Sequence, residues 1–323
     1  MRVRVCFHDN CFDGAASAAI FTAFYRSRID PSAEILYRGM THGHGEVFPA
    51  GTFDGDENVV VDFRYSSDPK LTWWFDHHVS AFPRPEDEAH FRQQPSERKF
   101  YDPAARSCTR FLARSVSERF RFDADRYGEL IHWAEIIDGA MFESAESAVR
   151  LAEPALRLMT WIENNKEPAL TERFIAELVA ARPLGDLVTE PWIQEPLGPI
   201  FVRNTHALDV VRSRSRDQGG VVSFDIAEDQ VETYNKFIPY YLYPQARFVV
   251  GLSAAPGRLK ISVGSNPWLP RPPVNIAAIC ERYGGGGHPV VGAISLPAHD
   301  LSRARTIAEE IAEELRAVPA TKP

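Results

Sequence analysis

Four short stretches of this chain gather carboxylate and imidazole side chains of the kinds that hold metal ions. The first is His8-Asp9-Asn10-Cys11-Phe12-Asp13-Gly14. The second is Asp62 after Val59-Val60-Val61, the third Asp76-His77-His78, and the fourth Asp138-Gly139. Each alone has an ordinary structural explanation. His8 or Asp13 near a strand end is commonly a cap or turn residue, Asp62 could open a loop, and Asp138 could close a helix. A carboxylate at a helix C-terminus opposes the helix dipole, however, and so favours a cation partner. Asp76-His77-His78 is the most pointed of the four, with three consecutive ligand-type residues after the apolar Trp73-Trp74-Phe75. Together, oxygen and imidazole ligands with few thiolates suit manganese- or magnesium-like ions, and zinc or iron as well. Two such ions about 3.5–4 Å apart can activate water and clamp the attacking and leaving oxygens of a phosphoryl group. That chemistry needs a bridging carboxylate, and Asp62 is the candidate.

These residues must be delivered by secondary structure. The run 3–7 is apolar enough for a buried first strand, and 15–25 reads as a helix after Asp13-Gly14. The runs 59–61 and 71–75 read as further strands, ending at Asp62 and Asp76. Strands that each deliver polar residues at or just past their C-terminal ends make the pattern of an open α/β sheet, whose ligands sit outside those ends. Helices are expected over 104–118, 124–138, 145–164 and 168–181, and the polar stretch 84–98 reads as an exposed loop. Pro183, Gly185, Pro191, Pro196, Gly198 and Pro199 break the periodicity and place a linker at 183–199. Beyond it, strands are expected at 200–202, 220–224, 247–252, 259–263 and 290–296, with helices at 231–241, 274–283 and 301–317. The fold class is therefore α/β with two α/β domains. A first domain over 1–182 has a mostly parallel sheet and holds the metals. A smaller second domain over 200–318 has a mixed sheet, and the active site is expected in the cleft between them.

The composition narrows the partners. The net charge of −8 and pI of about 5.7 leave no broad basic surface for gripping a long duplex. A small phosphate-bearing ligand remains compatible, because a metal-charged pocket binds phosphate even on an acidic protein. The four cysteines, Cys6, Cys11, Cys108 and Cys280, form no C-x-x-C pair and no zinc spacing, so a reducing cytoplasm is expected. The N-terminus reaches His8 and Asp9 too early for a signal-peptide core. No run approaches the roughly 20 apolar residues of a membrane span, so no membrane partner is expected. The oligomeric state stays open, a homodimer included.

In this order, the four stretches resemble the DHH phosphoesterase family, named for motifs of the Asp76-His77-His78 type. The second half adds Tyr283-Gly284-Gly285-Gly286-Gly287-His288-Pro289, followed by Gly292. This is similar to the glycine-rich, His-ended signature of the DHH-associated C-terminal domain, so the motifs extend from residue 8 to residue 292. The resemblance implies that His8 and Asp62 bind one divalent ion and that Asp13, Asp62, His77 and Asp138 bind a second. Manganese is favoured, with magnesium or another divalent ion also admitted. It implies that His78 faces the phosphate as oxyanion stabiliser or general acid, and that Asp76 orients the histidines beside it.

The opening departs from the usual pattern of His followed by two Asp separated by one position. Asp13 fills the second of these, and Cys11 stands where the first is usual. Cys11 could ligate as a thiolate and shift the preference towards softer metals. It could instead be a small buried residue, with Asp9 or water completing the shell, and that reading is preferred.

Gly284, Gly285, Gly286 and Gly287 also have a physical reading of their own. Four glycines let the backbone approach a ligand closely and aim N–H groups at an anion, with His288 free to bond a phosphate or sugar. A turn alone rarely needs so many. Family members that cleave short oligonucleotides often carry an Arg on the preceding strand. Gly264 stands in that vicinity here, with Arg258 and Arg271 as candidate substitutes. The implied activity is metal-dependent hydrolysis of phosphodiester or phosphomonoester bonds. The implied substrates are short oligonucleotides, nucleoside bisphosphates or cyclic dinucleotides, short oligoribonucleotides first. Two alternatives are a catalytically weakened nucleotide-binding regulator and a pyrophosphatase or polyphosphatase of the same fold. Trp73, Trp74 and Phe75 read as core, His42-Gly43-His44 as a polar loop, and Glu309, Glu310, Glu313 and Glu314 as the solvated face of the last helix.

Overall fold

Val3, Val5, Cys6 and Phe7 make β1 (Arg2–His8) a largely apolar run broken only by Arg4, the pattern of a strand covered on both faces. The chain then forms α1 (Phe12–Arg28), β2 (Glu34–Met40), β3 (Glu57–Val61), β4 (Leu71–Asp76), α2 (Pro85–Gln93) and β5 (Lys99–Tyr101). This computed structural model describes residues 1–41, 46–229, 231 and 234–319, so His42-Gly43-His44 lies outside the described residues. The five strands lie in the order β2-β1-β3-β4-β5, and every neighbouring pair is parallel. The chain leaves β1 for β2 on one side and returns to β3 on the other. The direction of winding thus reverses between β1 and β3, and such a switch point opens a crevice at the strands' carboxyl ends.

Register decides what covers each face. Val5 pairs with Val59 and Val59 with Trp73, so these share one face with Phe7, Val61 and Phe75. Phe21 and Phe24 of α1 lie 5.7 and 5.6 Å from the Trp73 ring on that face. Cys6, Val60 and Trp74 face the other way and pack with Phe63, Tyr65, Phe82 and Phe91. Trp73, Trp74 and Phe75 are fully buried, as expected of core residues.

The helices that follow are α3 (Cys108–Phe120), α4 (Gly128–Asp138), α5 (Ala145–Arg150), α6 (Pro154–Asn164), α7 (Pro168–Val179), α8 (Leu184–Leu187) and α9 (Pro191–Arg214). Three expectations need correcting. The polar stretch 84–98 contains α2, which starts with Pro85 in its first turn and three acidic residues beside it, both favourable at a helix N-terminus. The single helix expected over 145–164 breaks at Leu151, which adopts a left-handed conformation (φ 50°), and restarts at Pro154. The segment expected as linker forms α8 and the start of α9, and 200–202 is helix rather than strand. Buried Ile193, Leu197, Ile200, Ala207 and Val211 recur at helical spacing, and that periodicity overrides Pro196 and Pro199.

The chain divides into two compact units. One comprises Met1–Phe142 and Ala152–Leu197, the other Glu143–Leu151 and Gly198–Pro323. The second unit holds β6 (Arg216–Gln218), β7 (Val221–Asp225), α10 (Ile238–Leu242), β8 (Phe248–Ala255), β9 (Arg258–Ser265), α11 (Ile276–Glu281), β10 (Gly286–His288), β11 (Val291–Pro297) and α12 (Leu301–Arg316). Its sheet has the order β10-β11-β9-β8-β7-β6, with β7 and β8 parallel and the other pairs antiparallel. Both units are therefore α/β, as expected. Among the described residues of 231–241, helix is confined to the end, in α10. Phe248, Val250, Leu252, Ile261 and Val263 form a core with Ile307, Ile311 and Leu315 of α12, which leaves Glu309, Glu310 and Glu313 on the exposed side. Among the described residues, no helix is long and apolar enough to cross a membrane.

Candidate metal centre

The carboxyl ends of β1, β3 and β4 bring His8, Asp62 and Asp76 to one rim of the first sheet, and Asp76 carries His77 and His78 with it. Asp62 is at the centre. Its N–H donates to the Phe75 carbonyl at 2.9 Å, extending the pairing of β3 with β4 by one residue. Its backbone then turns left-handed (φ 56°), a conformation that Asp tolerates better than most residues. The side chain is buried, and its two oxygens face different partners. Oδ2 lies 3.5 Å from His8 Nδ1 and 3.8 Å from Cys11 Sγ. Oδ1 lies 3.5 Å from His77 Nε2 and 3.8 Å from His78 Nδ1.

His77 gathers the rest. Its Nδ1 is 3.0 Å from the Ala105 carbonyl, which can only accept, so Nδ1 carries the hydrogen and Nε2 offers a lone pair. Nε2 lies 3.2 Å from Asp138 Oδ2 and 3.9 Å from Asp13 Oδ2. Asp13 is fixed by the N-terminus of α3, whose Cys108 and Thr109 N–H groups donate to its carboxylate at 2.6 and 3.1 Å. These are donors that a helix leaves unpaired in its first turn. Gly14 is required beside it, because a Cβ there would come within 2.1 Å of the His8 carbonyl oxygen. Asp138 ends α4, whose last turn holds no basic residue.

Asp76 does different work. Its Oδ1 accepts from His78 Nδ1 at 2.7 Å and from the His77 and His78 N–H groups at 2.8 and 3.3 Å. That sets the His78 imidazole plane, holds the His77 backbone, and leaves Nε2 as the His78 nitrogen that can act on a substrate. The His78 side chain is 31% exposed, against 0% for Asp76.

Electrostatics points to a cation. Burial opposes charge on the His77 ring, yet Asp138, Asp62 and Asp13 outweigh it and push its pKa up to about 12. Burial likewise opposes the Asp62 carboxylate, but the imidazoles of His77, His8 and His78 hold its pKa near about 2. Burial, together with Asp62 and Asp138, pushes Asp13 well above the usual carboxylate range. The potential that would hold a proton at Nε2 of His77 also attracts a divalent ion. Asp62 Oδ1 and His77 Nε2 are buried without a hydrogen-bond partner among the described residues, which is costly unless a metal takes that place. Ligand atoms about 2.0–2.3 Å from one ion lie roughly 3–3.7 Å apart, close to the spacings here. Three sets fit: His8, Cys11 and Asp62; Asp62, His77 and His78; and Asp13, His77 and Asp138.

The sequence-derived residues His8, Asp13, Asp62, Asp76, His77, His78 and Asp138 thus converge in the first unit. Cys11, preferred above as a mere space-filler, has its sulfur in the His8 set. Asp9, its suggested stand-in, has its carboxylate against Gly39, where a Cβ would come within 2.5 Å of Oδ2. Asn10 was overlooked. Its Nδ2 donates to the Asn165 and Ile162 carbonyls at 2.7 and 3.3 Å, tying the end of α6 to the loop between β1 and α1.

In the second unit the glycine run is an edge strand. Gly286, Gly287 and His288 pair with Ala293, Gly292 and Val291. Structure itself demands three of the four glycines. Gly284 has φ 79°, a Cβ on Gly285 would meet the Ala293 oxygen at 2.3 Å, and one on Gly287 would meet the Val291 oxygen at 2.2 Å. Gly286 alone of the four has ordinary φ and open space. Gly264 also has a packing reason, since a Cβ there would lie 2.8 Å from the Tyr240 hydroxyl. Arg258 begins β9 at the far end from Gly264, about 20 Å along the strand, and so cannot stand in for an Arg there.

No family model matches the chain, and no curated protein does. Solved structures do match. A pGpG-specific phosphodiesterase, PggH of Vibrio cholerae, is similar over 99% of this chain and 100% of its own, with a TM-score of 0.70 at 18% identity. The DHH domain of PF0399, a member of the s1p family of ribosomal proteins, is similar over 99% and 87%, with a TM-score of 0.57 at 12% identity. The exonuclease RecJ bound to manganese is similar over 98% and 92%, with a TM-score of 0.50 at 13% identity. The chain has the fold of these structures, one of which is a DHH domain, and that fold is the one the resemblance of its motifs implies.

Proposed function

We propose that this chain is a metal-dependent phosphoesterase that hydrolyses phosphodiester or phosphomonoester bonds of short oligonucleotides or small nucleotides. The observation that carries this reading is the division of Asp62, one oxygen towards His8 and Cys11, the other towards His77 and His78. A carboxylate so placed suits a bridge between two ions. His8, Asp62 and Cys11 would hold one ion, and Asp13, Asp62, His77 and Asp138 the other, with manganese favoured and magnesium a close substitute. When bound, such ions supply a water of lowered pKa and neutralise charge gathering on a phosphoryl group. The protein's own groups do the positioning. Asp13 is locked by α3, and His77 is held by Ala105. Asp76 holds His78 through Nδ1, so that Nε2 can donate to a phosphoryl oxygen or to the leaving oxygen.

Short oligoribonucleotides of dinucleotide size come first among the substrates, supported by the full-length likeness to the pGpG-specific enzyme. Of the glycine run, we assign the Gly286 backbone and the exposed His288 to substrate binding. A reducing cytoplasm suits the four free cysteines.

The test is hydrolysis, with manganese, of a 5′-phosphorylated dinucleotide, a five-residue RNA, adenosine 3′,5′-bisphosphate, a cyclic dinucleotide and pyrophosphate. Hydrolysis of the dinucleotide, lost in Asp62→Ala, is expected. Nucleotide binding with no turnover under any divalent ion would overturn the reading in favour of the regulator. Turnover of pyrophosphate alone would overturn it in favour of the polyphosphatase.

A further inference from the structure

β5 is the edge strand of the first sheet, and it opens on a cavity of about 550 Å³. That volume falls within the roughly 300–1,000 Å³ of small-molecule sites. Phe91, Phe100 and Phe111 give the cavity apolar walls, and Lys99 and Arg119 give it two cations. Its two acids are Glu97 and Asp102, and Asp102 is already paired with Arg114 Nη2 at 3.0 Å. Arg119 is exposed and forms no ion pair among the described residues.

Lys99 is placed unlike the other described lysines. Lys70, Lys166, Lys236 and Lys260 are exposed, whereas Lys99 is half-buried. It pairs with Trp74 and points to the same face of the sheet. There its Nζ lies 5.4 Å from the centre of the Tyr65 ring and 3.4 Å from the Tyr65 hydroxyl. That hydroxyl is 2.9 Å from His90 Nδ1, so it can receive from Nζ while donating to the imidazole. Asp87 of α2, which acts on Tyr65, is held by Arg84 at 3.0 Å. Among the described residues no carboxylate pairs with Lys99, and burial lowers its pKa. An ordinary lysine is only about 0.4% neutral at pH 8. Any lowering therefore raises the share of amine that can act as a nucleophile.

We propose that Lys99 is an acylation site, and that the cavity beside it admits an acyl phosphate as donor. The apolar walls suit the acyl group, and the Arg119 guanidinium can meet the phosphate with two N–H groups. The neutral Nζ attacks the acyl carbon, a C–N bond forms, and the C–O bond to phosphate breaks. Phosphate leaves with the bonding pair and takes the proton that the nitrogen sheds. The step uses none of the metal-centre residues, and its product is an amide that no longer carries the Lys99 charge.

The full chain is treated with acetyl phosphate as wild type, Lys99→Arg and Arg119→Ala, each checked for an unchanged melting profile. Acetylation at each lysine is followed by peptide mass spectrometry. Accessibility alone would rank half-buried Lys99 behind the four exposed lysines. The expected result is the reverse, with Lys99 at least about fivefold faster than any of them and its rate levelling off at a lower pH. A rate at or below theirs overturns the site. Lys99→Arg should remove the fast reaction and leave the other four rates unchanged, and a fast reaction that persists in this variant overturns the assignment. A second arm compares acetyl phosphate with the neutral donor phenyl acetate. Arg119→Ala should slow the reaction of acetyl phosphate at Lys99 about fivefold and leave that of phenyl acetate unchanged. An unchanged rate with acetyl phosphate, or an equal slowing of both donors, overturns the acyl phosphate as the donor that the cavity selects.

Discussion

The two units differ in one set of buried polar groups. In the second unit the buried polar side chains among the described residues are Ser253 and Asn266. Asn266 is fully occupied. Its Nδ2 donates to the Pro244 and Ala246 carbonyls at 3.0 and 2.9 Å, and its Oδ1 accepts from the Trp268 N–H at 3.0 Å. In the first unit Asp13, Asp62 and Asp76 are buried together, with His77 and His78 among them and no Lys or Arg in ion pairs with any of them among the described residues. Buried ions left without full compensation cost several kcal/mol each. A satisfied polar group maintains architecture, whereas an unbalanced cluster of them maintains a capacity to bind. The contrast marks the first unit as the one with a buried cluster able to take up a cation, without reference to any motif.

The strongest way to break this contrast is to remove its centre. Asp62→Ala should lower kcat by more than about 10³-fold, exceeding the 10²–10³ typical of losing one oxyanion donor. It should also abolish tight binding of the divalent ions, as measured by metal content after dialysis. Full activity in this variant would remove the bridging role. Chelation should lower the melting temperature of the wild type by about 5–10 °C, since a metal at 100 times its Kd contributes about 2.7 kcal/mol to the folded state. The same chelation should barely shift Asp62→Ala. An equal shift in both would place the metal elsewhere.

Asp76→Ala sharpens the contrast, because Asp76 is buried yet stands outside the candidate ligand sets. Losing such an orienting partner costs about 10–100-fold in activity or metal affinity. The expected result is a fall of that size in kcat with metal content retained. A loss of metal as complete as that of Asp62→Ala would make Asp76 a ligand instead.

Cys11 distinguishes the two candidate ion positions. Cobalt-substituted wild type should show a near-ultraviolet thiolate-to-cobalt band that is absent from Cys11→Ala, with activity in that variant down about tenfold. Cys11→Asp should restore activity with manganese and lose the band. A spectrum unchanged by Cys11→Ala would return Cys11 to a packing role.

What could be read from the sequence follows the same division. β1, β3 and β4 are buried on both faces, so their apolar runs stand out, and the candidate ligands at their ends stand out with them. β2 was missed because Glu34, Arg38 and Gly39 in it are exposed and dilute its apolar pattern. The anchoring of Asp13 by Cys108 and Thr109 joins residues about a hundred positions apart and has no local signal. α9 was misread because prolines are a strong local cue, whereas the spacing of Ile193, Leu197 and Ile200 emerges only over several turns. The glycine run was read correctly as unusual. Its explanation was incomplete, because the close approach of β11 to Gly285 and Gly287 is a tertiary fact.

That run yields the finest test. Gly287→Ala places a Cβ 2.2 Å from the Val291 oxygen at φ 153°, and should destabilise the second unit by about 1–3 kcal/mol or more. Gly286→Ala meets open space at ordinary φ, and its effect on stability should stay within about 0.5 kcal/mol. The two variants separate architecture from use within two adjacent residues. If the Gly286 backbone approaches substrate, its alanine variant should raise KM severalfold with an unchanged melting curve. An unchanged KM would leave all four glycines to the packing of β10 on β11, and would make His288 the remaining candidate in that strand for contact with substrate.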